Sequence, residues 1–138
     1  MTAAWTVKSE PSDYSFAKLV EDRRTLWTGI RNFTARNNVR LMKKGDLALF
    51  FHTGAEKALV GIAKVLTDPG DDPTEPGEGW AAVELGPVKA LVAPVTLATL
   101  KATAATKQMQ FVRQGRLSVG AVTKAELATV LKLAKTKL

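Results

Sequence analysis

The chain has no cysteine and a single histidine, His52, among its 138 residues. Disulfides and cysteine-bound metals are thereby excluded, and a lone imidazole cannot assemble a zinc site unaided. No apolar run approaches the roughly 20 residues that a membrane-spanning helix needs, so no membrane partner is expected. The N-terminus, Met-Thr-Ala-Ala-Trp-Thr-Val-Lys, has no basic patch followed by an apolar stretch. It predicts no secretory signal, and the cytoplasm is the simplest address. Internal repeats, metal-ligand clusters, nucleophile motifs and phosphate-cradling glycine loops are also missing, so neither metal nor cofactor is expected.

What the chain does have is positive charge. Lysine and arginine number 20 against 13 acidic residues, a formal net charge of +7. The distribution is uneven: residues 1–66 carry 11 basic and 6 acidic side chains, residues 67–90 carry 1 and 6, and residues 91–138 carry 8 and 1. An acidic segment thus interrupts two basic ones. A basic balance favours polyanions such as nucleic acid through counterion release, although the C-terminal lysines also fit a solvated helix face. The length suits one domain, residues 1–138, with enough chain for a real core.

One stretch, Trp27 to Asn38, concentrates unusual side chains: an indole, Gly29, Arg31, Arg36 and three asparagines, Asn32, Asn37 and Asn38. An indole offers a flat apolar face, asparagine paired donors and acceptors, and arginine a planar fork suited to phosphate. Together they suit a planar, polar, anionic ligand. The plainer alternative is a core tryptophan, a helix start at Asn32 or Thr34, and solvated arginines.

In chain order, Trp5–Lys8 reads as a first strand that leaves into a turn at Pro11, placing Lys8, Ser9 and Glu10 where side chains converge at a strand end. Ser12–Ser15 supplies turn and capping residues before a short helix with Phe16, Leu19 and Val20 inward. Asn32–Met42 fits a helix with Ala35, Val39 and Met42 on one face and Arg36 and Arg40 on a flank. Asp46–Thr53 is apolar on both faces, as a central strand is, and its end delivers Phe51, His52 and Thr53. Leu59–Leu66 is the next strand, antiparallel to it. Asp68–Gly79, rich in proline, glycine and acid, reads as a mobile loop. Trp80–Leu85 and Lys89–Val92 read as two strands separated by Gly86-Pro87, and Thr96 as the cap of a helix carrying Leu97 and Leu100. Lys107–Phe111 fits a short helix, and Val112–Val119 a turn flanked by Arg113 and Arg116 before a brief strand. Thr123-Lys124-Ala125-Glu126 is a capping box opening a helix with Leu127, Val130, Leu131 and Ala134 on one face. Five or six short strands with small peripheral helices predict a compact α+β barrel.

Several blocks resemble one family in the right order: Lys8-Ser9-Glu10-Pro11, Leu26-Trp27-Thr28-Gly29-Ile30-Arg31-Asn32-Phe33-Thr34-Ala35-Arg36-Asn37, Met42–Asp46, Phe50-Phe51-His52-Thr53, Gly61-Ile62-Ala63, Pro94-Val95-Thr96-Leu97 and Arg113–Ser118. The family is that of the EVE domain, and the resemblance spans nearly the whole chain. It implies a PUA-like fold, a mixed β-barrel with peripheral helices, related to the YTH domains that hold a methylated adenine in an aromatic cage. By the same resemblance, the chain is a nucleic-acid-binding module that reads a modified base in an aromatic-lined pocket, with modified cytosine in DNA favoured over RNA. Trp27 becomes the cage wall, Lys8 and Ser9 its rim, and Asn32, Phe51, His52 and Thr53 further lining. Arg31, Arg36, Arg113 and Arg116 hold the nucleic-acid backbone. The chain departs from the family where members carry a longer segment before the second tryptophan, often with a Tyr-Asp-Pro element. Here that segment is the acidic Asp68–Gly79 loop without tyrosine, which implies a more open cage or a different ligand.

Other readings stay open beside the reader. Lys8 with Glu10 is the one pair placed for chemistry, since a buried lysine with a depressed pKa serves as a base; the plain reading is a salt bridge at a strand end. Related ASCH-type proteins look like amidohydrolases that use lysine, threonine and glutamate, and Lys8, Glu10 and Thr53 imitate that set. A modification-blind RNA-binding protein is the third possibility.

Overall fold

A computed structural model describes residues 4–138. Its centre is strand β3 (Leu47–His52), which lies parallel to β1 (Ala4–Ser9) and antiparallel to β4 (Ala58–Val65). β1 pairs on its other side with β7 (Val119–Val122), and β4 pairs with β6 (Ala81–Thr96), which in turn carries the short edge strand β2 (Thr25–Trp27). The order β2-β6-β4-β3-β1-β7 makes a curled, mixed half-barrel, with the two-residue β5 (Gly70–Asp71) added to β6. Five short helices lie around it: α1 (Phe16–Asp22), α2 (Phe33–Leu41), α3 (Leu97–Ala102), α4 (Gln110–Arg113) and α5 (Lys124–Leu133). This is the PUA-like α+β architecture that the resemblance implies.

The two-residue period of a strand sorts β3 between two cores. Ala48 and Phe50 enter a cluster with Trp5, Val7, Phe16, Leu19, Ala35 and Val39, under α1 and α2. Leu49 and Phe51 enter the opposite cluster with Leu59, Ile62, Leu100, Phe111 and Val130, under α3, α4 and α5. Burial on both faces explains why β3 is apolar throughout. Polar groups inside are paired. The Trp5 indole donates to Asp46 at 3.0 Å, and Asn38 donates to Val119 O at 2.8 Å and Gln110 Oε1 at 2.9 Å, tying α2 to β7 and α4.

The helix starts follow local chemistry. Ser15, Asn32, Thr96 and Thr123 each cap a helix with a side-chain oxygen, and Thr123 with Glu126 completes the capping box. Three expectations are corrected. Val20 is 50% exposed, because Phe16 and Leu19 already fill the buried side of α1. Gly86-Pro87 does not divide two strands: β6 runs through it, with the irregularity absorbed as register shifts against β4. The Asp68–Gly79 segment is anchored, since it contains β5 and the fully buried Asp72.

Candidate functional site

A cavity of about 400 Å³ opens where the end of β1 meets the segment leaving β2. That volume lies within the ~300–1,000 Å³ common for small-molecule sites. Lys8, Ser9 and Glu10 form one side, and Trp27 with Thr28, Gly29 and Ile30 another; Tyr14, Thr25 and Ser118 close the rest. Pro11 ends β1 and turns the chain, so that Glu10 O accepts from the amides of Asp13 and Tyr14 at 2.9 Å. The turn swings Tyr14 edge-on against Trp27, with ring centroids 6.0 Å apart and planes at 74°. Phe50 meets Trp27 edge-on from the core at 5.5 Å. The indole is thus wedged upright between two perpendicular rings, an arrangement that fixes its orientation where it borders the cavity.

Polar groups surround this aromatic wall. Ser9 Oγ donates to Tyr14 O at 2.6 Å. The Glu10 carboxylate accepts from Ser12 Oγ at 3.0 Å and Thr53 Oγ1 at 3.3 Å. Lys8 Nζ donates to Gly115 O at 2.8 Å and lies within 6 Å of the Phe51 and Phe111 rings. Burial pushes the Lys8 ammonium below the ordinary lysine value.

The wall after Trp27 is held from behind by Asp72. Gly29 has φ +82°, a left-handed conformation that glycine adopts without penalty. Its amide donates to Asp72 Oδ2 at 2.9 Å, and Arg31 Nη1 donates to the same oxygen at 3.0 Å. Thr74 supplies its amide and hydroxyl to Oδ1 at 2.8 and 2.6 Å. Burial by itself would raise the Asp72 pKa, but the bonds from Thr74, the Gly29 amide and Arg31 outweigh it and hold the carboxyl well below the usual carboxylate range.

Of the residues expected at the site, Lys8, Ser9 and Trp27 line the cavity and four do not. Asn32 caps α2, its side chain accepting from Ala35 N at 2.9 Å. Phe51 is buried in the opposite core because it alternates with Phe50 on β3. His52 is a structural acceptor, with Nε2 taking the Phe16 amide at 3.0 Å and Nδ1 2.7 Å from Glu56. Thr53 reaches the cavity only through Glu10. The arginines also divide. Arg31 is engaged by Asp72 and Thr74, and its side chain is 34% exposed. Arg36 lies over Phe33 and Trp80 at 4.9 and 5.6 Å from their ring centroids. Arg113 donates to Gln108 O at 3.0 Å, and Arg116 is exposed on the turn before Ser118. Arg31 is thus tied to the Asp72–Thr74 segment while still reaching the surface. Tyr14 and Asp72 carry no motif in the sequence, and Ser118 ends the Arg113–Ser118 block without standing out in it. Only the Pro11 turn beside Lys8-Ser9-Glu10 hinted that Tyr14 would fold back over the strand end.

Among the described residues, no helix is long and apolar enough to cross a membrane, and no group of three or more His, Asp or Glu side chains converges as a metal site.

Comparison with known proteins bears on the family and the fold. The family model described as "EVE domain" matches residues 3–133. Thymocyte nuclear protein 1 of Homo sapiens is 30% identical, over 96% of this chain and 74% of that protein. A crystal structure of a protein from Agrobacterium tumefaciens is 34% identical and superposes with a TM-score of 0.93, covering 98% of this chain and 94% of the other. The structure of human THYN1 in complex with DNA containing 5-methylcytosine is 25% identical, with a TM-score of 0.88 over 99% of this chain and all of that one. With the fold, the Trp27–Asn38 block and the model match coinciding over nearly its whole length, the chain belongs to the EVE domain family.

Proposed function

We propose that the protein binds nucleic acid by holding one modified base, a 5-methylcytosine in DNA in the leading case, in the Trp27 cavity. The observation that carries this reading is the clamped indole bordering a cavity ringed by hydrogen-bonding groups, in a fold shared with a relative solved on 5-methylcytosine-containing DNA. An extruded base stacked on an aromatic side chain gains about 1–3 kcal/mol. Its exocyclic amino group donates to an acceptor, which Glu10 and Asp13 offer at the cavity edge. Lys8, Ser9 and Ser118 supply partners for the remaining edge, and a buried methyl group adds roughly 0.8 kcal/mol. Basic residues outside the cavity, Arg116 among them, meet the phosphates and offset the few kcal/mol that extrusion from a duplex costs.

Nuclear magnetic resonance of the three indole N–H groups tests the assignment. Addition of an oligonucleotide with one 5-methylcytosine should move the Trp27 signal, while the Trp5 signal, bonded to Asp46 in the core, stays put. A Trp27 signal that does not respond at saturation would contradict the proposal.

A second reading has one specific observation behind it. Lys8, its pKa lowered by burial, and Glu10, which accepts from the Thr53 hydroxyl, both line the cavity, a residue set compatible with amide hydrolysis on a modified nucleoside once the Lys8 ammonium leaves Gly115 O. Release of free acid from N4-acetylcytidine during incubation would favour that reading, whereas a reader returns the nucleoside unchanged.

A further inference from the structure

Beside the cavity stands a second aromatic feature that the core does not use. Phe33 is the first residue of α2 and is 65% exposed, while Ala35 and Val39 of the same helix are buried. Its ring stacks on Trp80, with centroids 5.4 Å apart and planes within 20° of parallel. The Arg36 guanidinium lies 4.9 Å from the Phe33 centroid and 5.6 Å from that of Trp80, and the Arg31 guanidinium lies 5.4 Å from the Trp80 centroid. Gly79, just before Trp80, has φ +85°, a left-handed conformation that glycine adopts without penalty. Two π faces and two cations therefore form one continuous surface. This is the composition with which proteins hold unpaired bases, the base stacking on the ring and the guanidinium adding cation–π attraction.

Its position follows from the chain. Ile30 lines the cavity and Phe33 is three residues on, at most about 11 Å away along the backbone. A base extruded into the cavity leaves its neighbours on the strand at the cavity mouth, within reach of this surface. Asp72 joins the two places, since the same oxygen holds Gly29 of the cavity wall and Arg31 under Trp80.

We infer that the Phe33 face, backed by Trp80 and Arg36, is a stacking platform for a nucleobase flanking the one held in the cavity. The inference rests on the cavity being a base pocket, but its test is independent of which base that pocket prefers. Single-stranded DNA carrying one 5-methylcytosine is compared with the same strand made abasic at the positions flanking it, on one side or the other. Phe33→Ala should weaken binding of the intact strand about 5- to 150-fold. Phe33→Leu, which keeps apolar bulk but has no π face, should lose most of the same affinity, and its thermal melting should match the parent. One of the abasic strands should weaken binding by the wild-type protein to a similar degree and be bound equally by Phe33→Ala. With that strand the Trp80 indole signal should stay unshifted while the Trp27 signal still moves. Equal binding of the intact strand by wild type and Phe33→Leu would overturn the platform, and so would a wild-type protein indifferent to both abasic strands. Failure of the pocket leaves a different trace, an unmoved Trp27 signal with no preference for 5-methylcytosine. The abasic comparison on unmodified DNA then still decides the platform.

Discussion

Replacing the Asp72 carboxylate by an amide keeps its shape and removes the charge on which Arg31 and three neutral donors converge. Asp72→Asn should therefore destabilise the fold by about 2 kcal/mol at neutral pH in urea unfolding, the range for hydrogen bonds to a charged group. The pH dependence has a definite sign. The folded-state pKa lies below the unfolded value of about 3.9, so the carboxylate stabilises fully above that pH and progressively less below it. The gap between wild type and Asp72→Asn should narrow as pH falls below about 4, and a gap that widened on acidification would contradict the assignment. At this scale the sequence was legible where chemistry is local. Asn32 reads as a possible helix start, and it is one; Trp27 is conspicuous among its neighbours, and it faces the cavity. It was not legible where a partner lies far along the chain. Asp72 sits among acidic loop residues that look alike, and only its pairing with residues 41 and 43 positions earlier sets it apart. His52 resembles a pocket residue until the Phe16 amide is found on its Nε2.

Elements were easier to read than the contacts between them. The capping box at Thr123 and the apolar stripe of α5 are encoded within a few residues, and both form as the pattern indicates. Thr123→Ala should cost about 1 kcal/mol, read as a lowered melting temperature, since it removes the acceptor for the Glu126 amide. The continuity of β6 through Gly86-Pro87 was hidden because turn residues normally end a strand. Here β4 stays paired across the dipeptide, with Lys64 opposite Gly86 and Ala63 opposite Pro87, while β2 pairs only as far as Leu85, and the register shifts take up the mismatch. Gly61 on β4 shows the same dependence on neighbours. A side chain there would collide with the Phe16 ring, which packs flat over that position. Gly61→Ala should destabilise by about 1–3 kcal/mol through overpacking, and trimming the ring with Phe16→Leu should recover part of that loss in the double variant. Strict additivity of the two changes would contradict the contact.

At the scale of the molecule, the net charge of +7 is the feature that acts at a distance. Binding to DNA should weaken steeply with salt, the slope of log K against log salt being about −0.7 to −0.9 for each phosphate neutralised. Arg116→Ala should flatten that slope by roughly one phosphate while leaving base preference intact, because the residue is exposed and outside the cavity. On the proposed function, charge supplies attraction and the cavity supplies choice. The measurement that separates them is a titration of wild type and Trp27→Ala with matched oligonucleotides carrying cytosine, 5-methylcytosine, 5-hydroxymethylcytosine or N6-methyladenine, at two salt concentrations. The account predicts a preference for one modified cytosine that persists at both salts and disappears in Trp27→Ala, with the salt-sensitive background binding retained. Equal affinity for all four strands, the same in the variant as in the wild type, would contradict it and leave a basic protein that binds nucleic acid without reading it.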